Sequence, residues 1–190
     1  MKKIFVIFAH PKKNSFCSAI KDEFIKNAEK AGNKIDLCNL YEIDFDPVFD
    51  GSTTTLPEIK SFQDRIDYAD VIAFIYPIWW FRAPAILEGF IDRVFIPPWA
   101  FEYKSIIGFY GYPIGKLSGK KAIILNTYGS PRLVTRFFFL NLPIRRKKRG
   151  FLNVCGIRNI IYKGFFSVPF ISESERQIIL QKVSKIAKNV

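Results

Sequence analysis

Histidine and methionine occur once each in this chain of 190 residues, and cysteine three times. A single His10 and three far-separated cysteines, Cys17, Cys38 and Cys155, with no CxxC spacing, argue against both a zinc site and a disulfide framework. Acidic residues are also scarce: 17 Asp and Glu stand against 29 Lys and Arg, for a formal charge of +12. The excess favours anionic ligands and acidic surfaces without specifying any, and a basic solvated surface accounts for it with no nucleic-acid partner expected. No stretch approaches the roughly 20 apolar residues of a membrane span, because Pro77 interrupts the longest run, Val71 to Phe81. Lys2 and Lys3 precede the apolar run from Ile4 to Ala9, but a secretory signal needs about 7 to 15 apolar residues before a small-residue cleavage site. Here His10-Pro11-Lys12-Lys13 follows, so a soluble, cytoplasmic protein is expected. No glycine triad follows the first apolar run, which leaves a dinucleotide fingerprint or Walker loop unsupported.

What is present is alternation. With 49% hydrophobic residues the chain can bury one sizeable core, and a single domain over residues 1–190 is expected. Apolar runs bounded by turn residues alternate with stretches of helical period, the pattern of βα units on a parallel sheet. The strands are read at Lys3 to Phe8, Lys34 to Asn39, Asp70 to Ile75, Lys121 to Asn126 and Asn159 to Phe166. A first helix begins near Ser15, with Phe16, Ile20, Phe24 and Ala28 on one face and Gly32 closing it. A second carries Ile59, Phe62 and Ile66 behind Pro57. A third starts at Pro84 and turns Ile86, Leu87, Phe90, Ile91 and Val94 inward. The last runs from about Ser172, with an acidic first turn, to Lys188. Trp99 to Lys116 reads as a long Gly-, Tyr- and Pro-rich connection with a functional or interface role. The fold expected is α/β, a flavodoxin-like doubly wound five-stranded parallel sheet in the order 2-1-3-4-5.

Ligands of such sheets sit outside the carboxyl ends of the strands, where the strand order reverses. The turn HPKKNSFCSAI after the first strand places Asn14 and Ser15 at the mouth of a helix whose free backbone N–H groups attract an anion such as phosphate, although a Ser there serves equally as a plain N-cap. His10 reads as a hydrogen-bonding residue of that turn rather than a catalytic base. The third strand leads into YPIWWFRAPAILEGFIDRVF, which exposes Pro77, two tryptophans and Phe81 at a strand end. That arrangement is costly unless something planar, a helix or a second subunit covers it.

The turn HPKKNSF, NLYEIDFDPVF after the second strand, YPIWWFRAPAILEGFIDRVF, AFEY and NTYGSP together resemble the flavodoxin-like NAD(P)H:quinone oxidoreductases. That family includes DT-diaphorase, modulator of drug activity B and the ancillary oxidoreductases of potassium efflux systems. The resemblance implies a flavin, FAD or FMN, reduced by NADPH or NADH and reoxidised by a quinone-like acceptor in a ping-pong mechanism, and a homodimer. It also implies that His10, Asn14, Ser15, Phe16 and Cys17 surround the flavin phosphate and ribityl chain. Pro77, Ile78, Trp79, Trp80 and Phe81 are similar to the loop that holds the isoalloxazine, and Thr127, Tyr128, Gly129 and Ser130 to the loop at its pyrimidine end. Two alternatives keep the flavin: a flavodoxin-type electron carrier, which the basic charge opposes, and a regulatory subunit of a membrane transporter.

Two features depart from the long members of that family. A Tyr and a His that relay charge during hydride transfer there have no counterpart, since no histidine follows His10. Tyr128, the amide of Gly129 and Arg132 are the candidates to take over that role. The second departure is Phe137 to Phe151, where an aromatic cluster meets five consecutive basic residues, Arg145 to Arg149. These read as a solvated charge run, or as a phosphate or membrane-surface contact.

Overall fold

The computed structural model of the chain describes residues 1–52, 56–105, 108 and 111–190. Its central sheet is built from β1 (Lys3–Phe8), β2 (Lys34–Asn39), β3 (Val71–Ile78), β6 (Lys121–Tyr128) and β7 (Asn159–Phe165). The spatial order is β2-β1-β3-β6-β7, with every neighbouring pair parallel. This is the 2-1-3-4-5 arrangement. β3 and β6 are apolar almost throughout because helices cover both faces of the sheet, as a buried parallel strand requires.

The alternation along β1 sets the two layers. Phe5, Ile7 and Ala9 belong to a core shared with α2 (Pro57–Tyr68) and α3 (Ala85–Val94). Ile4, Val6 and Phe8 belong to a second core under α1 (Phe16–Lys30) and α6 (Glu173–Lys188). Side chains that point to opposite faces at successive residues leave no other solution. Ser15 caps α1 by accepting from the Ser18 N–H, and Ser172 and Glu175 form a capping box at α6.

The NLYEIDFDPVF stretch after β2 wraps over α3. Pro47 rests directly on Gly89, where a Cβ would lie 2.1 Å from the Pro47 carbonyl oxygen. The Arg93 guanidinium donates to the Asp46 carbonyl oxygen and pairs with Glu58 at 3.1 Å. Phe45 packs edge-on to Phe62 and tilted on Phe90, which ties this motif to both α2 and α3.

Two expectations need correction, and a stretch given no secondary structure from the sequence acquires it. β3 extends to Ile78 and β6 to Tyr128, paired in register as Pro77 with Thr127 and Ile78 with Tyr128. Pro77, Ile78, Thr127 and Tyr128 are therefore strand ends rather than loops. The Trp99 to Lys116 connection contains an antiparallel hairpin, β4 (Phe101–Ser105) with β5 (Gly111–Gly115); residues 106, 107, 109 and 110 of it lie outside the described residues. Finally, the stretch after β6 forms α4 (Arg132–Phe137), α5 (Leu142–Arg145) and a π-helical segment over Arg146–Leu152. These short elements carry too few residues for a helical period to show in sequence.

Candidate functional site

Strand order reverses between β1 and β3, and the register sets the carboxyl ends of β1, β3 and β6 side by side, where open sheets of this kind have their ligand crevice. The turn after β1 is held by its own side chains. The Lys12 N–H donates to His10 Nδ1 at 3.0 Å, and the Ser18 hydroxyl donates to the Lys12 carbonyl at 3.1 Å. Burial lowers the His10 pKa, so His10 accepts as a neutral ring, 5.9 Å from the Trp79 ring across the crevice. Ser15 accepts from Ser18, while the Phe16 and Cys17 amides belong to the first turn of α1, ahead of the helical ladder. The Phe16 ring packs toward the core under the Arg176 guanidinium, 4.9 Å from its centroid, so only its backbone faces the turn. Asn14 is exposed at the mouth.

Cys17 forms the floor. Its thiol is buried against Thr127 and pushed up to about 12, chiefly by desolvation, so it stays protonated and unreactive. This contact joins the α1 turn to the end of β6. Pro77 and Thr127 lie beside it, buried.

The rim is aromatic. Trp79 and Arg82 exchange two backbone hydrogen bonds of 2.9 Å, which closes a two-residue turn over Trp80 and Phe81. Both central residues have left-handed backbones, φ 49° and 59°, the type I′ geometry that ordinarily takes Asn or Gly. Trp80 is 90% exposed and Trp79 40%. Phe81 turns the other way and lies on Phe139, 4.0 Å between ring centroids.

On the opposite side Gly129 is exposed, with nothing within 4 Å of where a Cβ would stand, so a ligand can approach its backbone directly. Ser130 is fixed by its hydroxyl contact to Thr135 at 2.9 Å, and its carbonyl accepts from the Ser167 N–H. Tyr128 is folded inward: 2% exposed, its ring stacked on Phe166 and its hydroxyl 2.6 Å from that of Tyr162. Burial raises the pKa of both tyrosines, so both stay protonated. A lid made from the Tyr128 side chain does not fit this packing. Arg132 is exposed at the start of α4, close enough to Tyr162 for its charge to favour the phenolate there.

The solvated reading of the basic run needs correction at Lys147 alone. Lys147 is buried, its side chain 5% exposed, 3.4 Å from Glu88 Oε2, and Arg146 donates to Glu88 Oε1 at 2.7 Å. Lys147 is thus withdrawn from solvent to pair with a largely buried carboxylate, and Arg146 pairs with the same carboxylate while its side chain stays about half exposed. Burial opposes ionisation of Glu88, but Lys147 and Arg146 together hold its carboxyl below the usual range. Tyr162, Phe139 and Glu88 are functional candidates that sequence reasoning missed. Each meets its partner only through the fold: Glu88 lies within the YPIWWFRAPAILEGFIDRVF motif and Phe139 within the aromatic cluster, but neither stretch shows what the side chain contacts.

This chain matches the family described as flavodoxin-like fold over residues 2–190. It is 32% identical to Smu.1420 from Streptococcus mutans, covering 99% of this chain and all of that one with a TM-score of 0.86. It is 27% identical to the mouse ribosyldihydronicotinamide dehydrogenase [quinone], over all of this chain and 92% of that protein. An FMN-dependent NADH-azoreductase from Bacillus anthracis, solved in complex with FMN, shares the fold at 17% identity and a TM-score of 0.77, over all of this chain and 99% of that one. The chain belongs to the flavodoxin-like family that contains the NAD(P)H:quinone oxidoreductases.

Proposed function

We propose that the crevice binds one flavin, FMN or FAD, and that the protein uses it to carry electrons from NADPH or NADH to a quinone-like acceptor by a ping-pong mechanism. The observation that carries this reading is the convergence of three features on one crevice: the α1 turn at Ser15, the exposed aromatic turn at Trp79 and Trp80, and the bare backbone of Gly129. Each suits a different part of a flavin. The first-turn amides of α1 suit a phosphate, aromatic faces suit a fused planar ring, and fixed N–H groups suit the end where negative charge accumulates. When bound, the flavin supplies two-electron chemistry, accepting a hydride in one half-reaction and passing it on in the other.

The chain's own residues then have separable tasks. Ser15, Asn14 and the Phe16 and Cys17 amides hold the phosphate end. Trp79 and Trp80 wall the ring and exclude water. The Gly129 and Ser130 amides and the Arg132 charge stabilise negative charge at low reorganisation cost. Tyr128 and Tyr162 support that edge from beneath.

A homodimer belongs to the same reading, and an apolar groove supports it. A cavity of about 610 Å³ lies between α3 and the β4–β5 hairpin, lined by Phe49, Ile91, Phe95, Phe101, Tyr103 and Pro113 among others. Tyr103 is 65% exposed beside it, an apolar surface of the kind a second copy covers. Steady-state oxidation of NADPH and NADH with a quinone tests the catalytic reading. Parallel double-reciprocal lines are expected, while a purified flavoprotein with negligible turnover would favour an electron carrier instead.

A further inference from the structure

The Trp80–Phe81 turn holds two consecutive left-handed residues without a glycine. Each is disfavoured relative to a right-handed backbone because its Cβ crowds the following carbonyl oxygen, so the turn keeps this shape only if its surroundings insist on it. Two anchors outside the turn do so. Phe139 packs tilted against Phe81, with 4.0 Å between centroids and 32° between planes. At the exit of the turn the Ala83 N–H donates to Glu88 Oε1 at 2.9 Å. Glu88 stands in the first turn of α3 and reaches back over Pro84. The same oxygen, Oε1, accepts from Arg146 at 2.7 Å, Lys147 stands 3.4 Å from Oε2, and the Lys147 ammonium also lies over the rings of Tyr76 and Phe151.

Phe139, Arg146 and Lys147 all come from Phe137 to Phe151, the segment that departs from the long members of the family. The segment is itself shaped for the purpose. Leu140 and Asn141 are left-handed, and the Leu142 and Asn141 amides bond back to Phe139 and Thr135, which fixes where the Phe139 ring stands.

We propose that Phe137 to Phe151 is a brace for the flavin-binding turn, with Phe139 pressing on Phe81 and with Glu88, held by Arg146 and Lys147, fixing the Ala83 amide. These are positioning residues and touch no reactant. The inference rests on the flavin reading for its purpose but not for its geometry. Without the brace, the turn relaxes and the Trp79 and Trp80 faces are no longer presented in one orientation, which weakens cofactor binding before it affects the fold.

Hydrogen exchange at single-amide resolution, together with titration of FMN by quenching of its fluorescence, tests this on the full chain. Glu88→Ala is expected to speed exchange at Ala83 at least tenfold while the β3 amides from Val71 to Ile75 are unchanged, and to weaken FMN binding about tenfold. Glu88→Gln retains an acceptor for Ala83 and should recover most of both losses. Phe139→Ala perturbs the other anchor at a partly exposed site, so it remains informative if Glu88→Ala fails to fold, and it should weaken FMN binding similarly. Arg149→Ala, a cation of the same run outside the Glu88 cluster, should change neither readout. Wild-type exchange at Arg82 and Ala83 and wild-type FMN affinity in both Glu88→Ala and Phe139→Ala would overturn the brace. If the unmodified protein takes up no FMN, the flavin reading fails on its own and the exchange arm still decides.

Discussion

Tyr128 and Arg132 were equal candidates in the sequence for stabilising charge beside Gly129, and their surroundings separate them. The Tyr128 hydroxyl is paired with that of Tyr162 at 2.6 Å within the protein, whereas Arg132 is exposed at the crevice edge. Arg132→Ala should therefore slow flavin reduction by NADPH or NADH about tenfold, or about 1.4 kcal/mol, with flavin affinity nearly unchanged. Tyr128→Phe should change that rate less than threefold but cost about 1–3 kcal/mol of stability, because the Tyr162 hydroxyl loses its buried partner. Stopped-flow bleaching of the oxidised flavin and urea unfolding measure the two effects. A reversed ranking of the rates would return the role to the tyrosine. Residues of this site were legible where the chemistry is contiguous: Ser15 beside its helix, and Trp79 and Trp80 beside their strand. Tyr162, 34 residues from Tyr128, was not, because a tyrosine in an apolar strand reads as core until its partner is known.

α3 and β7 owe their close packing to two glycines whose roles differ. A Cβ at Gly89 meets the Pro47 backbone at 2.1 Å, and one at Gly164 meets the Tyr162 hydroxyl at 2.6 Å and the Phe166 ring at 3.1 Å. Backbone cannot yield as a side chain can, so Gly89→Ala should destabilise by roughly 3 kcal/mol or more and Gly164→Ala by about 1–3 kcal/mol, measured by urea unfolding. The buried Lys147 adds a pH effect of definite sign. Desolvation lowers its pKa from 10.5 to about 8, against the pull of Glu88. Between about pH 8 and 10.5 the unfolded chain holds more protons than the native state at this site, so stability rises with pH across that window. Asp92 and Arg146 also face Lys147 and act in opposite senses. Wild-type stability minus that of Lys147→Met should increase from pH 8 to pH 10, and a flat difference would place the native pKa near its ordinary value. The five strands and four long helices were readable because each spans enough residues for its period to show. The β4–β5 hairpin was hidden by its short strands, and the segment after β6 by elements of six, four and seven residues whose aromatic and basic side chains follow tertiary partners rather than a period.

The assembled molecule places its charge and its apolar surface in ways that bear on assembly. With a formal charge of +12, two copies repel, so association through the groove between α3 and the hairpin must rest on apolar burial and should strengthen with salt. Light scattering should give about twice the 22.0 kDa chain mass, and a fully active monomer would remove the second subunit from the account. Among the described residues no helix is long and apolar enough to cross a membrane. A cytoplasmic location remains a proposal that cell fractionation can check. The central claim, that the carboxyl ends of β1, β3 and β6 form a flavin site, is most directly tested by titrating FMN and FAD with purified apoprotein while following flavin fluorescence. The account predicts quenching that saturates at one flavin per chain in the micromolar range or below, and that is lost or much weakened in Trp79→Ala/Trp80→Ala. Flavin fluorescence that stays unquenched at micromolar protein, for FMN and FAD alike, would contradict it.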